Sequence, residues 1–263
     1  MPILFVLTAL LGLAVGSFLN VVIHRVPAGE SVVSPASACP ACGHQIRARH
    51  NVPVLGWLLL RGRCADCAEP ISVRYPLVEL ATAVLFVAVT WNAARLDLLP
   101  ALPAFLVFVA AGVALTAIDL DVMRLPNAIV YPTFGLVAAG FVAASVVTGE
   151  VQPLVRAAVA AAALGLLFLA LALAKPGGMG LGDVKLAVVI GAVLGYVSYP
   201  SVVVGVFAAF LLGTLAGAVL VVVRRAGRGS LLPFGPALVA GAVLALFVGG
   251  PISDAYLTLT QIA

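Results

Sequence analysis

The residues best suited to chemistry are two aspartates, Asp119 and Asp183, and four cysteines, Cys39, Cys42, Cys64 and Cys67. Asp183 stands in Gly180-Leu181-Gly182-Asp183-Val184-Lys185, between two long apolar runs. A carboxylate and an ammonium there sit at the edge of a bilayer, beside backbone that glycine frees to take unusual angles. Asp119 closes an earlier apolar run, in Ile118-Asp119-Leu120-Asp121. Two carboxyl groups brought close cannot both ionise cheaply, so one keeps its proton. The ionised member then takes a proton from water while the protonated one donates to a carbonyl oxygen, which hydrolyses a peptide without a covalent intermediate. Asp119 and Asp121 are two apart and point about 200° away from each other on a helix, so at most one faces the interior. Asp121, Gly180, Gly182 and Lys185 are the supporting candidates. Taken alone, Gly-x-Gly-Asp is also a tight turn with a capping aspartate; a second acid at the same membrane face is what gives it a functional reading.

The cysteines form Cys39-Pro40-Ala41-Cys42 and Cys64-Ala65-Asp66-Cys67, with 21 residues between the pairs. Two such knuckles bring four thiolates into the tetrahedron that Zn²⁺ prefers in closed structural sites. They lie in residues 24–75, a polar stretch with six of the fourteen Lys and Arg residues and too few apolar positions for a core of its own. A metal staple supplies what packing cannot, and in a cytoplasmic loop thiols stay reduced, so metal is favoured over disulfides. His44 and His50 read as solvated loop residues, since four cysteines already complete the shell.

The elements that must position these groups are membrane helices. Of 263 residues, 63% are hydrophobic and 9% charged, with a mean hydropathy of +1.23, far from the roughly 25% charged composition of a soluble domain. Apolar runs long enough to cross a bilayer number about eight: 2–23, 76–92, 99–118, 128–148, 154–174, 185–199, 201–223 and 233–250. The fold class is therefore an all-α, polytopic bundle with a small zinc-stapled loop domain. The first run has no basic residue before it and His24 and Arg25 after it, which marks a retained span with its N-terminus outside. Eight spans in that orientation put Arg25, Arg47, Arg49, Arg61, Arg63, Arg74, Arg124, Lys175, Lys185, Arg224, Arg225 and Arg228 inside, and only Arg95 and Arg156 outside. The net charge of +4 thus speaks of topology and membrane lipid, and no basic patch with interleaved aromatics points to nucleic acid. Two featureless spans separate the Asp119 and Asp183 segments, and an even number of crossings returns the chain to the side it left. The domain reading is a first span at 1–23, a cytoplasmic zinc-binding loop domain with all four cysteines at 24–75, and a seven-helix membrane domain at 76–263.

Two further places stand out. Gly16, Ser17 and Asn20 share a face of the first span, suited to close helix packing and an interhelical hydrogen bond. Glu79 lies one turn inside the second span, where the helix dipole favours an acid and snorkelling to water is the simplest account, with cofactor contact the alternative.

Assembled, the chain resembles the type IV prepilin peptidases, membrane aspartic proteases of the leader peptidase and N-methyltransferase family. The resemblance rests on Gly16-Ser17-Phe18-Leu19-Asn20-Val21 with Arg25, both Cys-x-x-Cys pairs, Pro70-Ile71-Ser72, Arg74-Tyr75-Pro76 through Glu79, Asp119 to Asn127, and Gly180 to Lys185. It implies that Asp119 and Asp183 are the catalytic pair, Asp119 being chosen over Asp121 by its spacing to Leu125-Pro126-Asn127. Many members carry Asp where Asn127 stands, a variation outside the pair. The resemblance further implies a prepilin or pseudopilin substrate whose short basic leader is cut on the cytoplasmic side of the bacterial inner membrane. It also implies methylation of the new N-terminus with S-adenosylmethionine, placed in the 24–79 region near Glu79. The rival from another class is an ion- or proton-coupled transporter, which would put acids near the bilayer midplane, whereas these lie at span ends. A second rival is a zinc-stapled scaffold without chemistry.

Overall fold

A computed structural model describes residues 1–174, 179–223 and 233–260. The expectations for Lys175, Arg224, Arg225 and Arg228 fall outside the described residues. The chain is all-helical: α1 (Pro2–Ala28), a short α2 (Leu55–Leu59), α3 (Arg74–Arg95), α4 (Leu102–Val122), α5 (Asn127–Thr148), α6 (Gln152–Ala174), α7 (Leu181–Val197), α8 (Tyr199–Val222) and α9 (Gly235–Thr260). No strand occurs among the described residues, only two isolated bridges, Ala38 with Gln45 and Arg63 with Pro70. Among the described residues, six helices are long and apolar enough to cross a membrane: α1, α3, α4 extended back to Leu99, α5, α6 and α8. α7 has 17 residues, and the apolar part of α9 is Gly235–Gly250. These helices are apolar on all sides because in lipid every backbone N–H and C=O has to be satisfied within its own segment.

Four boundaries differ from the sequence expectation by four residues or more: the end of α1, the start of α7, the end of α4, at Val122 rather than 118, and the end of α9, at Thr260 rather than 250. α1 continues past residue 23 to Ala28, so His24 and Arg25 ride on its last turns. α7 starts at Leu181, four residues before the expected 185, because Gly180 takes an extended N-cap conformation and the Asp183 carboxylate, at the third helical position, accepts the Gly180 N–H. Asp183 and Gly182 are therefore helical, and Gly180 is extended before them.

The chain divides into two compact units, Met1–Trp91 and Asn92–Ala263. Within the first, α1 runs against α3 with almost no side chain between them. A Cβ on Gly12 would lie 2.6 Å from the Ala83 Cα, and one on Gly16 2.7 Å from the Glu79 Cα. Asn20 Nδ2 donates to the Tyr75 carbonyl at 3.2 Å, the interhelical bond expected on that face. Small residues that let backbones touch are the usual glue where lipid removes the hydrophobic drive between helices.

Within the second unit, α7 packs along α6 in the same way: a Cβ on Gly191 would sit 2.5 Å from the Ala160 carbonyl oxygen. α9 presses Gly241 against Ala209 of α8, with 2.6 Å left for a Cβ before the Ala209 nitrogen. Rings lock the crossings. Phe141 of α5 stacks on Tyr196 of α7 at 4.1 Å, with Phe105 of α4 edge-on to Phe141 at 5.4 Å. Phe234, just before α9, meets Phe210 of α8 at 5.3 Å. At the first turn of α6, Arg156 Nη2 donates to the last carbonyls of α7, Tyr196 at 3.1 Å and Val197 at 3.3 Å.

Candidate active site and metal centre

In the C-terminal unit the end of α4 and the starts of α5, α7 and α9 converge on one cavity of about 630 Å³. Asp119 and Asp183 both line it, with Arg124, Asn127, Gly180 and Lys185 among the polar neighbours. Asp119, at the end of α4, is buried at 5% exposure, and its Oδ2 accepts the N–H of Gly235, the first residue of α9, at 3.0 Å. Asp183, on the first turn of α7, accepts the Gly180 N–H on its own Oδ2 at 3.2 Å. Each carboxylate is thus held through one oxygen by an N–H from the start of a helix, the end that favours anions. The second oxygen has no hydrogen bond of its own among the described residues.

The supporting candidates divide. Gly180 is the N-cap of α7, and Gly182 lets α7 close on the turn after α4, since a Cβ there would come 3.0 Å from the Leu125 Cβ. Lys185 Nζ donates to Asn127 Oδ1 at 2.9 Å and lies 5.2 Å from the Tyr131 ring centre, tying α7 to α5. Asp121 is exposed and is not among the residues that line the cavity, as the helical angle to Asp119 requires.

Gly235 is the functional residue that sequence reasoning passed over, reading Pro233-Phe234-Gly235-Pro236 only as the opening of a span. A Cβ at 235 would meet Asp119 Oδ2 at 2.7 Å and Leu125 Cδ2 at 3.2 Å. The available signal was a glycine between prolines, a poor helix start unless close approach is required.

In the N-terminal unit the four cysteine sulfurs lie within 4.8 Å of one another, with Cys39 Sγ and Cys67 Sγ 3.8 Å apart. A tetrahedron with metal–sulfur bonds of about 2.3 Å has edges of about 3.8 Å, so the donor set fits Zn²⁺. The two knuckles repeat one turn. Cys39 N–H bonds the His44 carbonyl and Gly43 N–H the Cys39 carbonyl; Cys64 N–H bonds the Glu69 carbonyl and Ala68 N–H the Cys64 carbonyl. Gly43 at φ 71° and Ala68 at φ 61° occupy the same left-handed position. Backbone N–H groups of Asp66 and then Cys67 draw the Cys64 thiol from its ordinary value down to about 7, which favours the thiolate a metal needs. Neither His44 nor His50 belongs to the cluster.

Glu79 does not snorkel. It is 8% exposed, and its Oε2 accepts the Val54 N–H at 2.7 Å. It lines a separate cavity of about 350 Å³ walled by the cysteine loop, with His50, Trp57 and Tyr75.

Two family models match the chain. The bacterial peptidase A24 N-terminal domain matches residues 10–93, and the type IV leader peptidase family matches residues 105–222. The chain belongs to the type IV leader peptidase family. Relatives named prepilin leader peptidase/N-methyltransferase include one from Aeromonas hydrophila, 37% identical over 97% of this chain and 94% of its own length. One from Pseudomonas aeruginosa is 36% identical over 97% and 94%, and one from Burkholderia pseudomallei is 39% identical over 92% and 84%. No solved structure matches the chain significantly. The leader peptidase model covers both aspartates, and the N-terminal model covers all four cysteines and Glu79.

Proposed function

We propose that this family member is a multi-pass membrane aspartic endopeptidase that removes the leader of type IV prepilins or pseudopilins and methylates the amine so released. The reading rests on one observation above all: Asp119 and Asp183, 64 positions apart in sequence, line one cavity at the ends of packed helices. Such a pair shares a proton. The ionised carboxylate removes a proton from water as its oxygen attacks the scissile carbonyl, and the protonated one donates to the carbonyl oxygen. On collapse the C–N bond breaks and the leaving amine takes up the proton. Gly235 and Gly180 hold the carboxylates, each through a single oxygen, so the others remain directed at reactants. A transporter reading is disfavoured because neither acid lies mid-span.

The active-site face is the cytoplasmic one, with the N-terminus outside, supported by twelve of the fourteen basic residues falling on that side. Zn²⁺ held by Cys39, Cys42, Cys64 and Cys67 is structural: it fixes a loop with no packed core. S-adenosylmethionine supplies an electrophilic methyl group for the uncharged α-amine of the trimmed chain, and the N-terminal unit is where it is used.

The test is leader removal from a purified prepilin by the wild-type protein, Asp119→Asn and Asp183→Asn. Both variants are expected to be inactive; cleavage by either would end the assignment. Transfer of label from S-adenosylmethionine to the trimmed pilin tests the second activity.

A further inference from the structure

We propose that the cavity around Glu79 in the N-terminal unit binds S-adenosylmethionine, with the Glu79 carboxylate as the counter-charge for the donor's sulfonium cation. The inference rests on the methyltransferase half of the function proposed above and gives it a place and a residue.

Among the described residues, Glu79 is a buried carboxylate without a cationic partner. The ion pair among the described residues is Arg47 with Asp66, and the hydrogen bond to Glu79 comes from a neutral amide. Buried charges are normally paired, because desolvation costs several kcal/mol for an ion left alone. A ligand cation meets that need.

The loop facing Glu79 is built at a cost. Val54 has φ 61° and ψ −50°, and the Leu55 N–H closes onto the Pro53 carbonyl at 2.6 Å across it. This is the rare, strained form of the γ-turn, on a β-branched residue that ordinarily avoids positive φ. The turn aims the Val54 N–H at Glu79, and strain of this kind gathers at ligand clamps. Gly56 secures the fold of the loop, since any Cβ there would collide with the His50 carbonyl oxygen.

The walls suit the rest of the ligand. About 350 Å³ is in the range of small-molecule sites. Trp57 is fixed by its Nε1 donating to the Ile71 carbonyl at 3.0 Å, and Tyr75 lines the same space. Aromatic faces receive both purine rings and organic cations. His44, His50, Arg47, Asp66 and Glu69 complete the charged or titratable lining beyond the cysteines.

The experiment measures equilibrium binding of labelled S-adenosylmethionine and of S-adenosylhomocysteine, its neutral thioether counterpart, to the full-length zinc-loaded protein in detergent. The wild type is expected to prefer the sulfonium form. Glu79→Gln keeps an acceptor for the Val54 N–H but removes the charge, so it should weaken the sulfonium ligand about 10-fold, a factor worth about 1.4 kcal/mol. The neutral ligand should be little affected. A residue that merely tethers the loop would shift both ligands together. As a check independent of any variant, carbodiimide labelling of Glu79 in the wild type should be blocked by S-adenosylmethionine. Absence of binding, an unchanged preference in Glu79→Gln, or labelling indifferent to the ligand overturns the proposal, as does protection by an amino-terminal pilin peptide in place of the donor. Glu79-dependent binding without methyl transfer would leave this site standing and sink the methyltransferase reading. Methyl transfer insensitive to Glu79→Gln would do the reverse.

Discussion

The two chemical centres of this chain are held in opposite ways. The cysteine cluster belongs to a loop whose turns are short, whose side chains are half-buried or exposed, and whose local bonds run between near neighbours. The carboxylate pair belongs to helix termini whose positions are set by packing along whole spans, through Phe141 on Tyr196 and Gly191 on Ala160. On the proposed reading, one centre is a staple that makes its surroundings fold, and the other is a consequence of surroundings already folded. The first depends on its ligands and the turns that carry them, whereas the second is exposed to any change that moves a helix end.

That contrast is open to attack in four places. The largest effect is expected at the acids: Asp183→Asn should lower leader removal by on the order of 10⁴-fold or more while leaving the metal content of the cysteine cluster unchanged, as read by metal analysis. Next, Cys67→Ser should lower metal affinity on the order of 10³-fold and speed hydrogen exchange across 38–71, because here binding is folding. If exchange across α4 to α9 quickens equally, the two centres are not independent and the contrast fails. Third, Gly235→Ala places a Cβ 2.7 Å from Asp119 Oδ2, too close for both to stay in place, and should lower kcat for leader removal about 100-fold, the scale of a misplacement near 1 Å. An active Gly235→Ala would mean that α9 does not position the acid.

The smallest effect separates the two knuckles. Gly43 and Ala68 share one left-handed turn position, but only Ala68 bears a Cβ there. Gly43→Ala should weaken metal binding by about 1–2 kcal/mol, and Ala68→Gly should strengthen it by less than about 1 kcal/mol. Competition with a chromogenic chelator measures both.

Legibility in the sequence follows the same division. The four cysteines declare their site through spacing alone, because the ligands are local and chemically distinctive. Asp183 and its glycines stood out because Gly-x-Gly-Asp is written in four consecutive residues, although the aspartate expected to cap the helix lies inside it and reaches back to the Gly180 N–H. The eight apolar runs gave the long helices, with the end of α1 and the start of α7 displaced by a few residues, where caps rather than hydropathy decide. What could not be read is whatever depends on two distant segments meeting. Gly235 holds Asp119 across 116 positions, and a lone glycine carries no mark of its partner. Asn127, set aside as a variation outside the pair, fixes Lys185 from 58 positions away. Glu79 read as an interfacial acid because nothing in 50–56 announces a strained turn closing over it.

The clasp of Arg156 on the Tyr196 and Val197 carbonyls bears on how the two acids close on a reactant. The clasp ties the far end of α7 to α6, and its flank is keyed into the same helix. If that grip persists when a reactant binds, adjustment of the gap between carboxylates would fall to the α4 and α9 side, with Asp119 the travelling jaw of a vice and Asp183 the fixed one. Hydrogen exchange with and without a bound substrate mimic should then change at 235–242 and stay level at 186–197.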